Sequence, residues 1–277
     1  MTDWLKTGNG AVITGGASGI GRAAAERFLA AGMNVVIADL NEAALSEAAE
    51  YLSGHPGALY TRVCDVADYE QVLSLQTFAA DHLGHVHCLM NNAGASVRAT
   101  SPWQDITAWK KQIDINLWGI VHGCHAFIPQ MLAAGERAAV INTGSKQGIT
   151  NPPSNYGYNL SKAGVKNYTE SLAHALRQED ECQISAHLMV PGFTYTGMIA
   201  RFTPEKPPGA WTSEEAVEFM LNSLGRGDFY ILCPDHDTPR ALDEKRIQWN
   251  TDDLINNRSA LSRWDPAFKD EYESFLG

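Results

Sequence analysis

From residue 10 to about residue 190, short apolar runs alternate with longer amphipathic stretches. Runs at 11–13, 35–38, 60–64, 86–90, 139–142 and 184–190 predict strands. Helices are predicted over 22–31, where alanines line the inner face, over 42–52 and over 68–82. Short apolar strands separated by helices indicate βαβ crossovers, hence a parallel sheet with helices on both faces. No internal repeat or low-complexity linker interrupts the pattern, so residues 1–277 are expected to form a single domain.

The last third is less regular. Residues 203–209 hold Pro204, Pro207 and Pro208 and read as a loop, because proline fixes φ and removes a backbone donor. Thr212, followed by Ser213, Glu214 and Glu215, predicts an N-cap and a helix through residue 224. Residues 229–233 predict a final strand. Beyond Thr238 the chain is polar, helical to about residue 256 and then irregular, and its Arg/Asp/Glu run reads most simply as a solvated helix face.

Composition narrows the function classes. Of 277 residues 44% are hydrophobic and 19% charged, which is globular rather than disordered. A net charge of −11 argues against non-specific nucleic-acid binding, yet permits one anionic ligand at a helix N-terminus. The five cysteines lie far apart and read as thiols in a reducing compartment. The nine histidines show no HxxxH or HExxH spacing, so no metal is expected. Residues 1–6 carry no apolar stretch behind a basic start, and no run approaches the ~18 apolar residues that span a bilayer. A cytoplasmic protein with no membrane partner is expected.

Candidate chemistry begins at Thr14-Gly15-Gly16-Ala17-Ser18-Gly19-Ile20-Gly21, between the first predicted strand and the first predicted helix. Glycines there allow a tight turn and let backbone amides approach a pyrophosphate at the helix N-terminus. Asp39 closes the second strand, where an acid can accept from adenosine ribose hydroxyls and repel a 2′-phosphate. No Lys or Arg lies within the loop or directly after Asp39, although Arg22 follows the loop, so NAD is expected over NADP. Asp39 can equally cap the turn into the next helix.

Tyr158 and Lys162 are four apart, which on a helix puts both on one face. An ammonium beside a phenol lowers its pKa and suits it to proton transfer, though an isolated Tyr/Lys pair also fits an ordinary surface. Tyr156 has Leu160 at the matching position and cannot be the paired tyrosine. Ser145 ends the strand at 139–142 and can donate to a substrate oxygen, or serve merely as a turn residue. Asn116 lies among apolar residues of a predicted long helix, where a satisfied core amide is the ordinary reading.

Taken in order, the glycine loop, Asp39, Cys64-Asp65-Val66, Asn91-Asn92-Ala93-Gly94, Asn116, Ser145, Tyr158 with Lys162, and Pro191-Gly192 resemble the short-chain dehydrogenase/reductase family over about residues 8–200. The resemblance implies a Rossmann-like, doubly wound α/β fold and a tetrad of Asn116, Ser145, Tyr158 and Lys162. It implies dinucleotide contacts from Gly15, Ser18, Gly19, Ile20 and Gly21, with Asp65 and Val66 toward the adenine and Asn92, Ala93 and Gly94 beside its ribose. Tyr158 and Lys162 would also contact the nicotinamide half. Pro191, Gly192 and Thr194 would border the nicotinamide, and Thr196 would reach phosphate. In the family Asn116 anchors a water that links Lys162 to solvent. The implied activity interconverts a secondary alcohol and a ketone; the alternatives are an NADP-linked carbonyl reductase and a catalytically silent cofactor-binding scaffold.

The sequence departs from the family at its end. Pro234-Asp235-His236-Asp237 follows the last predicted strand, and about forty residues come after it, so 238–277 is an atypical extension that puts the usual tetramer in doubt. A homodimer through the helices bearing Asn116 and Tyr158 is the default expectation. The substrate pocket is expected from 95–105, 147–155 and a loop region over 193–215, with Trp103, Phe193, Tyr195, Met198, Phe202 and Trp211 giving it apolar character.

Overall fold

The computed structural model describes residues 2–97, 101–201 and 203–277. Every apolar run noted in the sequence becomes a strand. These are β1 (Gly10–Thr14), β2 (Asn34–Asp39), β3 (Leu59–Val63), β4 (Val86–Asn91), β5 (Ala138–Thr143), β6 (Ile184–Val190) and β7 (Tyr230–Leu232). All pair in parallel, in the order β3-β2-β1-β4-β5-β6-β7. The pleat divides each strand between two cores. Ala11, Ile13, Val35 and Ile37 enter one core, whereas Val12, Val36 and Ala38 enter the other. This is why the central strands are apolar without alternation.

Helices α1 (Gly19–Ala30) and α2 (Glu42–Tyr51) supply Phe28, Leu29, Leu45 and Ala48 to the first core. On the opposite face, α3 (Tyr69–Leu83) supplies Val72 and Leu75. The Asn41 side chain caps α2 and that of Asp68 caps α3, so both short side chains end their loops as N-caps do. The next helical stretch is not continuous. α4 (Ile106–Ile113) and α5 (Gly119–Ala134) are joined by a π-helical turn, Asp114–Trp118, where a long helix was expected. After β5 come the short α6 (Gln147–Thr150) and the 21-residue α7 (Tyr156–Leu176). After β6 come α8 (Gly197–Ala200) and α9 (Ser213–Arg226), the latter opened by a reciprocal capping box between Thr212 and Glu215.

The tail corrects the sequence reading twice. α10 (Arg240–Ile255) ends where expected, but the chain then forms two 3₁₀ turns and a further helix, α11 (Lys269–Leu276), instead of remaining irregular. Nor is its charged run simply solvated, because Asp243 and Asp253 are buried. Trp249 is the anchor: its ring meets Tyr272 at 5.1 Å and Phe275 at 5.3 Å, and its Nε1 donates to Ser262 Oγ at 2.8 Å. Asp253 accepts from Ser262 N at 3.0 Å and lies 3.0 Å from Arg258 Nε. Apolar residues this sparse give no helical periodicity, so the small satellite core was not visible in the pattern.

With all strands parallel, the loops that follow their C-terminal ends share one edge. The strand order reverses between β1 and β4, and a crevice at such a switch point is where open α/β sheets bind ligands.

Candidate active site

The glycine loop leaves β1 at that switch point. Gly15 has φ +63°, and a Cβ on it would lie 2.7 Å from Ala93 Cα, so only glycine lets the two strand ends approach this closely. Thr14 Oγ1 accepts from the Asn92 and Ala93 amides at 3.0 and 3.2 Å, and Asn92 Nδ2 donates to the carbonyls of Thr14 and Gly15 at 3.3 and 3.2 Å. Asn92 thus braces the loop, and Ala93 and Gly94 follow directly. Ser18 is the N-cap of α1 but makes no side-chain cap, so Gly19, Ile20 and Gly21 present first-turn amides as an anion site would.

Asp39 ends β2 beside this loop. Its carboxylate accepts from Ala17 N at 3.4 Å and from Asn41 N at 3.1 Å, so the turn-capping and ligand-facing readings hold together in geometry. Leu40 follows it and is exposed, while the Arg22 guanidinium sits 4.5 Å from the Tyr51 ring centroid, stacked on that ring. Asp65 accepts from Ala67 N at 2.9 Å, and Val66 packs where a Cβ on Gly119 would fall. Both follow β3, on the β2 side of the crevice. On the other side Thr196 covers the loop, its Cγ2 lying 3.1 Å from where a Cβ on Gly19 would be. Thr194 forms a bridge with Trp211, and Tyr195 N donates to Trp211 O at 2.8 Å, which pins the segment after Pro191 and Gly192. A glycine cradle at a helix N-terminus with an acid at the end of β2 fits a nicotinamide dinucleotide.

Three of the remaining side chains converge beyond β5. Tyr158 lies on the first turn of α7, and its phenol oxygen is hydrogen-bonded to the Ser145 hydroxyl. Lys162, one turn later and buried, places Nζ 5.8 Å from the Tyr158 ring centroid and donates to Thr143 O at 2.7 Å. Burial brings its pKa down to about 8. The Tyr158 phenol is raised by burial, with the Ser145 hydrogen bond pulling the other way. Desolvation therefore sets the direction in the protein by itself, where the sequence suggested lowering by the neighbouring ammonium.

Asn116 sits within the π-helical turn, a distortion that often marks functional sites. Its side chain is wholly buried; Oδ1 accepts from Ala95 N at 2.8 Å, and Nδ2 donates to Ala95 O at 3.0 Å and to Ser161 Oγ at 3.2 Å. It ties the loop segment after Gly94 to α7, beside Lys162.

Sequence reasoning missed a buried network behind these groups. Asn91 Nδ2 donates to Asn142 Oδ1 at 2.9 Å, and Asn142 Nδ2 to Thr169 Oγ1 at 3.1 Å. Cross-strand pairing of Asn91 with Asn142 was legible only once the register was known. Among the expected pocket aromatics, Trp211 packs against Phe219 at 5.7 Å and is a structural residue. Tyr195 donates to Thr203 O at 3.1 Å, holding its own loop. Trp103 and Phe193 are exposed. Residues 98–100 and Phe202 lie outside the described residues.

Comparison with known proteins agrees with this geometry. The family profile described as short chain dehydrogenase matches residues 9–207. Cyclohexanol dehydrogenase of an Acinetobacter species is 31% identical over 217 residues, 78% of this chain and 80% of that protein. Sulfoacetaldehyde reductase 2 of Chromohalobacter salexigens is 37% identical over 163 residues, covering 58% of this chain and 64% of that protein. The crystal structure of a short chain dehydrogenase/reductase from Burkholderia phymatum in complex with NAD superposes with a TM-score of 0.83 at 29% identity, covering 92% of this chain and 97% of that one.

Proposed function

The chain belongs to the short-chain dehydrogenase family of oxidoreductases acting on alcohol groups, and from that premise we propose that it interconverts a secondary alcohol and its ketone with NAD. The observation that carries this reading is the meeting of Ser145, Tyr158 and Lys162 beyond β5, beside a glycine cradle with an acid on its β2 side.

Bound NAD would supply the hydride acceptor in oxidation, and its reduced form the donor in reduction. Ser145 Oγ would donate to the substrate oxygen, fixing it within reach of Tyr158. Tyr158 would take the hydroxyl proton in oxidation and return it in reduction. Lys162 would hold the nicotinamide ribose and bring positive charge toward the phenol oxygen. Asn116 would keep the Ala95 loop segment and α7 in register around Lys162, leaving room for a water between that lysine and solvent. Thr194 would hold the nicotinamide carboxamide, and Thr196 a phosphate oxygen.

The test is a panel of alcohols and ketones followed at the reduced-nicotinamide absorbance with NAD and NADP separately. Cyclohexanol belongs in it because of the Acinetobacter relative, and sulfoacetaldehyde because of the Chromohalobacter one. Turnover with NAD is the expected result, whereas NAD binding without turnover of any member favours the scaffold reading. Asp39 is assigned the choice of cofactor. Asp39→Ala is expected to weaken NAD about tenfold, as ~1.4 kcal/mol of lost ribose hydrogen bonding gives, and to narrow its advantage over NADP. Tighter NADP than NAD binding by the parent protein would reverse that assignment.

We also propose a cytoplasmic homodimer. No described helix is long and apolar enough to cross a membrane. Trp118 on the π-helical turn and Leu160 on α7 are large, apolar and about half exposed, at 49% and 55%. Sedimentation of Trp118→Glu/Leu160→Glu should show a monomer where the parent is a dimer; a monomeric parent overturns the assignment.

A further inference from the structure

The residue after Ser145 carries a charge that the proposed reaction does not use. Lys146 Nζ lies 2.6 Å from Asp243 Oδ2 on α10 and 3.3 Å from Asp235 Oδ2 after β7. Both carboxylates are buried, with side-chain exposures of 6% for Asp235 and 5% for Asp243, and the lysine is 18% exposed. Asp235 Oδ2 also accepts from Phe193 N at 3.0 Å. One ammonium therefore joins three segments: the turn carrying Ser145, the loop that borders the nicotinamide site, and the C-terminal helix.

The contact does not end there. α10 packs on α6, and one and a half to two turns beyond Asp243 the Asn250 side chain donates to Ile149 O at 3.3 Å. Asp243 and Asn250 are seven apart and so share one helix face, aimed at 146–150. The family profile stops at residue 207, so this docking belongs to the part of the chain the profile leaves out. A solvated appendage has no need of two buried carboxylates on one lysine, since burying charge is unfavourable unless it is paired.

We infer that Lys146, Asp235 and Asp243 are positioning residues, a clasp through which the C-terminal extension sets Ser145 and the Phe193 backbone in register for the reaction. The inference rests on the reading of Ser145 proposed above. Loss of the clasp leaves the glycine loop and Asp39 untouched and loosens only the nicotinamide end, so the transfer step should suffer far more than cofactor affinity. Misplacement of a reacting group by about 1 Å can cost on the order of a hundredfold in rate.

The test compares Lys146→Met, Lys146→Arg and Asp243→Asn with the parent by kcat and KM, by NAD affinity from tryptophan fluorescence, and by amide hydrogen exchange over 146–150 and 193–195. For Lys146→Met the expectation is a fall in kcat of about ten- to a hundredfold, an NAD Kd within about threefold of the parent, and faster exchange in both segments. Lys146→Arg should recover most of both, because it restores the charge between the carboxylates. A folded Lys146→Met with parental kcat and exchange overturns the clasp. So does a variant whose kcat and NAD affinity fall together without recovery by arginine. If Lys146→Met does not fold, Asp243→Asn decides: it keeps Lys146 paired with Asp235, and unchanged kcat and exchange overturn the inference. Hydrogen exchange reads the clasp whether or not any panel substrate turns over, so its failure is separable from failure of the dehydrogenase reading, which shows as a parent without turnover.

Discussion

Tyr158→Phe is expected to reduce turnover in both directions by about 10²–10⁴-fold, the range that positioned acid–base groups contribute, with NAD affinity almost unchanged. The substitution removes one oxygen and keeps the ring, so packing on the first turn of α7 is preserved. Lys162 would still donate to Thr143 O, and the glycine cradle lies on other elements. The pH dependence gives a second check. Burial raises the Tyr158 phenol, so the protonated form dominates at neutral pH. Reduction needs that proton and should hold at neutral pH, declining as the phenol ionises. Oxidation needs the phenolate and should climb as pH rises, with a bend near the Lys162 pKa of about 8, where the neighbouring ammonium discharges. In Tyr158→Phe the residual rate should lose this climb. Parental activity in that variant, measured at saturating substrate with stopped-flow absorbance, would sink the acid–base role.

What the sequence made legible follows from where the information is local. Central strands are apolar because both faces are covered, and a strand-loop-helix with glycines at fixed spacing can be read from eight residues. The positions of Gly15, Asp39 and Ser145 at strand ends followed from that, whereas the start of α7 just before Tyr158 did not. The π-helical turn at Asn116 did not, because it arises from how α4 and α5 must pass Ala95 and α7, a tertiary demand with no composition of its own. The Asn91–Asn142–Thr169 network needs the β4–β5 register before its members can be paired. The tail was misread for a related reason. Charges on α10 look solvated until Lys146, almost a hundred residues earlier, is seen to neutralise one of them.

That long-range pairing changes how the extension is understood. Trp249 with Tyr272 and Phe275 gives the tail a packed core of its own, and Asp243 with Asn250 fastens it to the turn after Ser145. A packed element docked beside Ser145 can set that residue's position. The segment matched by the family profile carries Ser145, Tyr158 and Lys162, and the residues beyond it fasten the turn next to Ser145.

Gly21→Ala should weaken NAD binding roughly a hundredfold, the equivalent of about 3 kcal/mol. A Cβ at this position would lie 2.2 Å from Gly15 O and 2.7 Å from Asn92 Nδ2. Neither neighbour can retreat cheaply. Gly15 is fixed at φ +63° with Ala93 Cα already at 2.7 Å from its own Cβ position, and Asn92 is held by the carbonyls of Thr14 and Gly15. Inserting a methyl into such packing costs about 1–3 kcal/mol, and relief must come from lifting the first turn of α1 off the loop. That motion displaces the amides assigned to the pyrophosphate. Gly225→Ala on α9 is the matched control: nothing lies within 4 Å of its Cβ position, and alanine is the better helix former by about 0.5–1 kcal/mol. It should leave NAD binding unchanged and raise the melting temperature slightly. Fluorescence titration of both variants with NAD separates the outcomes: if Gly21→Ala binds NAD like the parent while melting normally, the dinucleotide does not rest on this loop, and the assignment of Gly15, Ser18, Gly19 and Ile20 goes with it.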